Sequence, residues 1–183
     1  CYLVVGLLAS SIIANMSLLL RYREMCRDST NALVATAWSV RDYLRVPETY
    51  IESALAGTLT SKAKLAEAVT YLQAAEDSME VLKYLDSENA SQWHDIQMAV
   101  GRAVDIVSFL DVPSEWETLP SNAVDMLDAT VSLLEDVEEA LPDSVSRGQN
   151  PNVAFDANLL ESAQVSAPAY LDVSGPWWRT LLE

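Results

Sequence analysis

The chain has 183 residues, with 27 Asp and Glu against 11 Lys and Arg and a net charge of -16. Two cysteines exclude a disulfide scaffold, and 5 Gly with 7 Pro exclude Gly/Pro-rich disorder. The shortage of clustered cations argues against nucleic acid as a partner, because phosphate contacts need Lys and Arg on one face.

Half of the residues are hydrophobic but only 8% are aromatic. Low glycine with abundant Ala, Leu and Val predicts an all-α fold. Charge is unevenly spread: residues 1–46 sum to +2 and residues 47–183 to -18. Such asymmetry implies two environments, one at a membrane boundary or inside an assembly and one in open water. Lysine is scarce, 3 residues against 8 arginines. An acidic, lysine-poor surface suits solubility in high salt and equally follows from GC-rich codon usage.

Residues 1–27 form the first predicted unit. Tyr2 to Leu20 carries no charge, and at 1.5 Å per residue it nearly crosses a hydrocarbon core of about 30 Å. The segment reads as a transmembrane or assembly-core helix. Gly6, Ser10, Ala14 and Ser17 recur at spacings of four, four and three, with Ser11 and Asn15 beside them. A stripe of small side chains lets helix backbones approach closely, and Asn15 rewards a partner that can hydrogen-bond it. Gly6, Ser10, Ala14, Asn15 and Ser17 are therefore the candidate helix-packing interface, a lone anchor with ordinary Gly and Ser content being the alternative.

Between Leu3 and about Arg45 there is no proline, and the only glycine is Gly6. One long helix is predicted, apolar at first and then amphipathic. Leu33, Ala37, Val40 and Leu44 step 4-3-4 as in a coiled-coil seam. Pro47 is expected to end it and to open a short helix closed by Gly57.

Three further amphipathic helices follow. Leu65, Ala68, Leu72, Ala75, Met79 and Leu82 form one seam, and Trp93, Ile96, Val100, Ala103, Val107 and Leu110 the next. Leu127, Thr130, Leu134, Val137 and Leu141 share a face beyond a cap at Ser121. Short polar connections predict that residues 28–142 pack as an antiparallel bundle of about four helices. Residues 143–183 are expected to be a loop-rich, irregular tail holding a short helix within 154–165. In that tail Trp177 and Trp178 either fold back on the bundle or serve as a docking point.

Catalytic and metal-binding patterns are not found. His94 is the single histidine, so the paired Glu-x-x-His motifs of a di-iron bundle cannot be supplied, and a Ser or Cys nucleophile would have His94 alone as its histidine base. Glu135, Asp136, Glu138 and Glu139 read as a solvated helix face. The chain is expected to be non-enzymatic, with no catalytic or metal residues and no cofactor. Cys1 and Cys26 would stand about 37 Å apart on a straight helix, too far for a disulfide. They read as free thiols, Cys26 being a candidate for acylation.

The layout resembles that of pilin-like subunits, in which an apolar N-terminal helix carries a soluble head. The aromatic first residue and fifth-position Glu of type IV pilins are replaced by Cys1 and Val5. The expected function is a structural subunit of a membrane-associated or extracellular homo-oligomer or filament. Self-association or partner transmembrane helices would supply the contacts, with a membrane involved at least during biogenesis. The expected location is membrane-anchored or exported to the cell surface, on either side of the membrane. A membrane-anchored sensor bundle or a single-span accessory subunit is the alternative.

Overall fold

The computed structural model describes residues 2–59, 63–110, 121–141 and 157–174, with side chains described except at 2–15, 17, 122 and 157–159. The described residues form five α-helices: α1 (Tyr2–Leu55), α2 (Ala63–Leu85), α3 (Ala90–Leu110), α4 (Ser121–Ala140) and α5 (Ala157–Ser174), with a 3-10 turn at Ser87–Asn89 before α3. The fold is all-α.

The heptad seams become the core. Every seam residue of α2, from Leu65 to Leu82, and of α3, from Trp93 to Leu110, is buried. On α4 Leu127, Thr130, Leu134, Val137 and Leu141 are buried, as are Ala37, Val40 and Leu44 on α1. Relative to exposure, each of the large aliphatic side chains contributes roughly 1.5–3 kcal/mol. Trp93, the largest fully buried side chain, keeps its indole polar end satisfied: Nε1 donates to Asp86 Oδ2 at 2.9 Å.

The helices close a ring in the order α1–α2–α3–α5–α4 and back to α1. The third neighbour of the predicted bundle is thus corrected: α3 and α4 follow each other in sequence, but α5 stands between them. Gln164 Nε2 on α5 donates to Asp95 on α3 at 3.1 Å, and Ser166 Oγ on α5 donates to Asp136 on α4 at 2.5 Å. A ring of five cannot alternate direction all the way round. One neighbouring pair must be parallel, and it is α3 with α5, since Asp95 meets Gln164 while Arg102 and Asp105 lie near Tyr170. The α2–α3 pair is antiparallel and close. Lys83 Nζ donates to Gln97 at 2.9 Å, and a Cβ at Gly101 would stand 2.8 Å from Glu76 Oε1.

Two prolines do not act as expected. Pro47 does not end α1, which runs through it to Leu55. Proline removes one backbone donor and crowds the preceding turn. Here the buried ring sits between Leu44 and Ile51, both fully buried, and packing of α1 against α2 and α4 outweighs the lost bond. Pro168 likewise lies inside α5, its ring exposed, where water can reach the carbonyl left without a donor. The short helix expected within 154–165 is therefore an 18-residue helix reaching Ser174. Its Leu160, Ala163, Ala167 and Tyr170 are part of the core, not of a tail. The rest of the expected tail, and residues 111–120 between α3 and α4, lie outside the described residues.

The end of α1 is set by Gly57 at φ 66°. Its N–H donates to Ala54 O at 3.0 Å and that of Thr58 to Ser53 O at 2.9 Å, the two bonds of a Schellman cap. No atom lies within 4 Å of a Cβ built on Gly57, so a substitution there strains only the backbone. Gly57→Ala is expected to lower stability by about 1 kcal/mol. Urea denaturation followed by far-UV circular dichroism checks this; an unchanged midpoint contradicts it.

Candidate assembly surface

The 54 residues of α1 extend about 80 Å, while the 23 residues of α2 cover about 35 Å. The bundle therefore covers only the second half of α1. Core burial begins at Ala37, and residues 18–29 are exposed on every side. Met16, Leu18, Leu19, Leu20, Tyr22 and Met25 are all more than half exposed. They lie on several sides of the helix, interleaved with the exposed Arg21, Arg23 and Glu24, and so many large apolar side chains open to solvent on one helix is unusual.

Of the predicted interface residues, Gly6, Ser10, Ala14, Asn15 and Ser17 lie on the N-terminal part of α1, and their side chains lie outside the described residues. Trp177 and Trp178 lie outside the described residues altogether. His94 and Cys26 are exposed. Among the described residues no helix is long and apolar enough to cross a membrane.

Where α1 enters the bundle, its polar face meets the end of α4. Arg41 Nε and Arg45 Nε both reach Glu138 Oε1, at 3.2 and 3.1 Å, and Arg41 Nη1 donates to Leu141 O at 3.0 Å. This pair of arginines holds one carboxylate and also satisfies a carbonyl at the C-terminal end of α4, where a cation complements the helix dipole. Of the four acidic residues read as one solvated face, only Glu135 and Glu139 are exposed; Glu138 is in this clip and Asp136 accepts from Ser166.

One turn further, carboxylates crowd. Ligand-type oxygens of Glu48, Glu52 and Glu135 lie within 4.8 Å of one another. Burial, then repulsion by Glu138 and a hydrogen bond with it, then Glu52 and Glu135, push the Glu48 carboxyl up from its ordinary value of 4.5 to about 7. No cation of the chain neutralises Glu52 or Glu135 among the described residues.

Along the solvent face of α4, Asp125, Asp128, Glu135 and Glu139 are all exposed and step 3-7-4. The helix contains no Lys or Arg. The α4 stripe and the Glu48–Glu52 turn of α1 thus make one continuous acidic face. Elsewhere, a shallow groove of about 290 Å³ between α1 and α2 is lined by Ala35, Thr36, Ser39, Tyr43, Ser78 and Val81. Inside the bundle, Thr130 Oγ1 donates to Met126 O and meets Tyr170 Oη at 2.9 Å, a polar tie between α4 and α5 in a largely apolar core.

The comparisons add no relative: no protein-family model, curated protein or solved structure matches this chain.

The Glu48 geometry has a signed pH consequence. Its pKa is higher folded than unfolded, so between about 4.5 and about 7 the folded state holds a proton that the unfolded state has released. Stability from this group is greatest in acid and falls as pH rises through that window. Screening by water at this half-buried site reduces the effect to about 1 kcal/mol. Glu48→Gln is expected to match the parent near pH 4.5 and to exceed it in stability by pH 8. Urea titrations of both chains across that range check this, and a constant difference contradicts it.

Proposed function

We propose that this chain is a non-enzymatic structural subunit of a membrane-associated or extracellular homo-oligomer or filament. In this reading the apolar first half of α1 packs in the assembly core, against copies of itself, and the acidic five-helix head faces solvent. Such a subunit is anchored in a membrane or exported to the cell surface, and passes through a membrane during biogenesis.

The observation that carries the reading is the exposed stretch of α1 between Met16 and Met25, where Met16, Leu18, Leu19, Leu20, Tyr22 and Met25 stand open on a helix continuous with the head. A helix that protrudes this far and stays apolar needs cover from lipid or from other helices. The small residues Gly6, Ser10, Ala14 and Ser17 suit close helix–helix approach. The acidic head suits display in water, where like charges keep assembled heads apart and soluble.

A membrane-anchored sensor or ligand-binding bundle is the second reading, and the α1–α2 groove is the feature that favours it. The readings separate on particle mass. Light scattering with negative-stain imaging, in detergent and after its removal, is expected to show large homo-oligomers or filaments that persist without detergent. Gly6→Leu or Asn15→Leu is expected to abolish them. A monomer or dimer that stays in solution only with detergent contradicts the structural-subunit reading and favours the sensor.

A further inference from the structure

We propose that Arg23 and Arg27 on the uncovered shaft of α1 form a second arginine clip, which docks on the acidic face of α4 of another copy of this chain. The proposal rests on the structural-subunit reading and names the contact that sets the position of neighbouring subunits.

The argument begins with a repeat. Residues 23–27 read Arg-Glu-Met-Cys-Arg and residues 41–45 read Arg-Asp-Tyr-Leu-Arg. Both place two arginines four residues apart with an acid after the first. The two motifs are 18 residues apart on one continuous helix. At about 3.6 residues per turn that is five whole turns, so the motifs lie on the same face of α1, about 27 Å apart along it.

The upper motif shows what this spacing does. Arg41 and Arg45 converge on one carboxylate of α4, Glu138. The lower motif has the same spacing and the same face, but α4 ends level with Arg41, which bonds Leu141 O. Arg23 and Arg27 are exposed and form no ion pair among the described residues. Glu24 and Asp28 lie on the adjoining face of the shaft, which leaves Arg23 and Arg27 as its outward basic stripe.

The matching surface is on the head. Asp125, Asp128, Glu135 and Glu139 of α4 are exposed, without a cation from their own helix. Glu135 is also crowded by Glu48 and Glu52, an excess of negative charge that a neighbour's guanidinium would relieve. Arg27 and Glu48 are separated by roughly 32 Å along a single helix, so one chain's shaft cannot reach its own acidic face. A second copy displaced along the shaft by roughly that length brings the two together. The two surfaces differ, so the contact is heterologous and repeats into a ring or an open filament. The apolar turns at Met16–Leu20 gain neighbours in the same stack.

The test is charge exchange between copies. Two full-length variants are made, one Arg23→Glu with Arg27→Glu, the other Asp128→Arg with Glu135→Arg. All four positions are exposed, and unchanged helicity by circular dichroism verifies folding. Each variant alone is expected to need at least tenfold more protein for assembly, read by light scattering after detergent removal. An equal mixture is expected to assemble like the parent, because every reversed clip then finds a reversed face. If both variants assemble like the parent, the clip is overturned while the apolar-shaft reading stands. Rescue only when all four substitutions are in one chain overturns it in favour of an intramolecular contact. Loss of binding to anionic phosphatidylglycerol vesicles with self-association intact overturns it in favour of a lipid surface. A parent chain that never assembles overturns both this contact and the proposed function.

Discussion

The length of α1 is the constraint on which the rest depends. A helix of about 80 Å is laid against partners of about 35 Å or less, so one half lies in a closed bundle and the other lies outside it. The covered half obeys the rules of a soluble core, with Ala37, Val40, Leu44 and Ile51 fully buried. The uncovered half breaks them, presenting Leu18, Leu19 and Leu20 to the surroundings. No rearrangement within the ring α1–α2–α3–α5–α4 can cover both halves, because each partner helix is too short.

Much of the bundle was legible in the sequence because its helices use one apolar side chain per turn, at alternating steps of three and four residues. The α2 seam from Leu65 to Leu82 and the α3 seam from Trp93 to Leu110 could be read directly, and both are buried. α5 carries the same 3-4-3 spacing in Leu160, Ala163, Ala167 and Tyr170, but two of the four are alanines and Pro168 interrupts the run. The weak apolar signal and the proline together hid a core helix. Ring closure was hidden for a related reason. A single seam per helix suggests one neighbour, whereas α3 buries Ala99, Val104 and Ile106 beside its seam and so has two apolar flanks, one toward α2 and one toward α5. Pro47 misled because the local cost of proline is fixed, while the packing that offsets it comes from helices distant in sequence.

The candidate surface was legible as composition and not as geometry. The division between a +2 start and a -18 remainder is visible in the sequence. It does not reveal that Arg41 and Arg45 are used inside the head, on Glu138, while Glu135 joins Glu48 and Glu52 in a crowd of like charge. Those assignments depend on the antiparallel register of α1 and α4, which brings residues about a hundred positions apart into contact. Once the register is known, acidic and basic surfaces separate along the long axis, and the molecule is polar in charge from shaft to head. Glu48 resists ionisation first because it is partly buried, and then because Glu138, Glu52 and Glu135 crowd it at this joint.

Protection of Cys26 tests the central claim, that the shaft of α1 is covered by other subunits, most directly. Cys26 is exposed within one chain and lies between Arg23 and Arg27. In a Cys1→Ser chain, labelling by a membrane-impermeant maleimide would report this thiol alone. The account predicts labelling at least tenfold slower in the native particle than in chains dispersed by detergent. Equal rates in the two states would mean that no subunit covers the shaft at this level, and would contradict it.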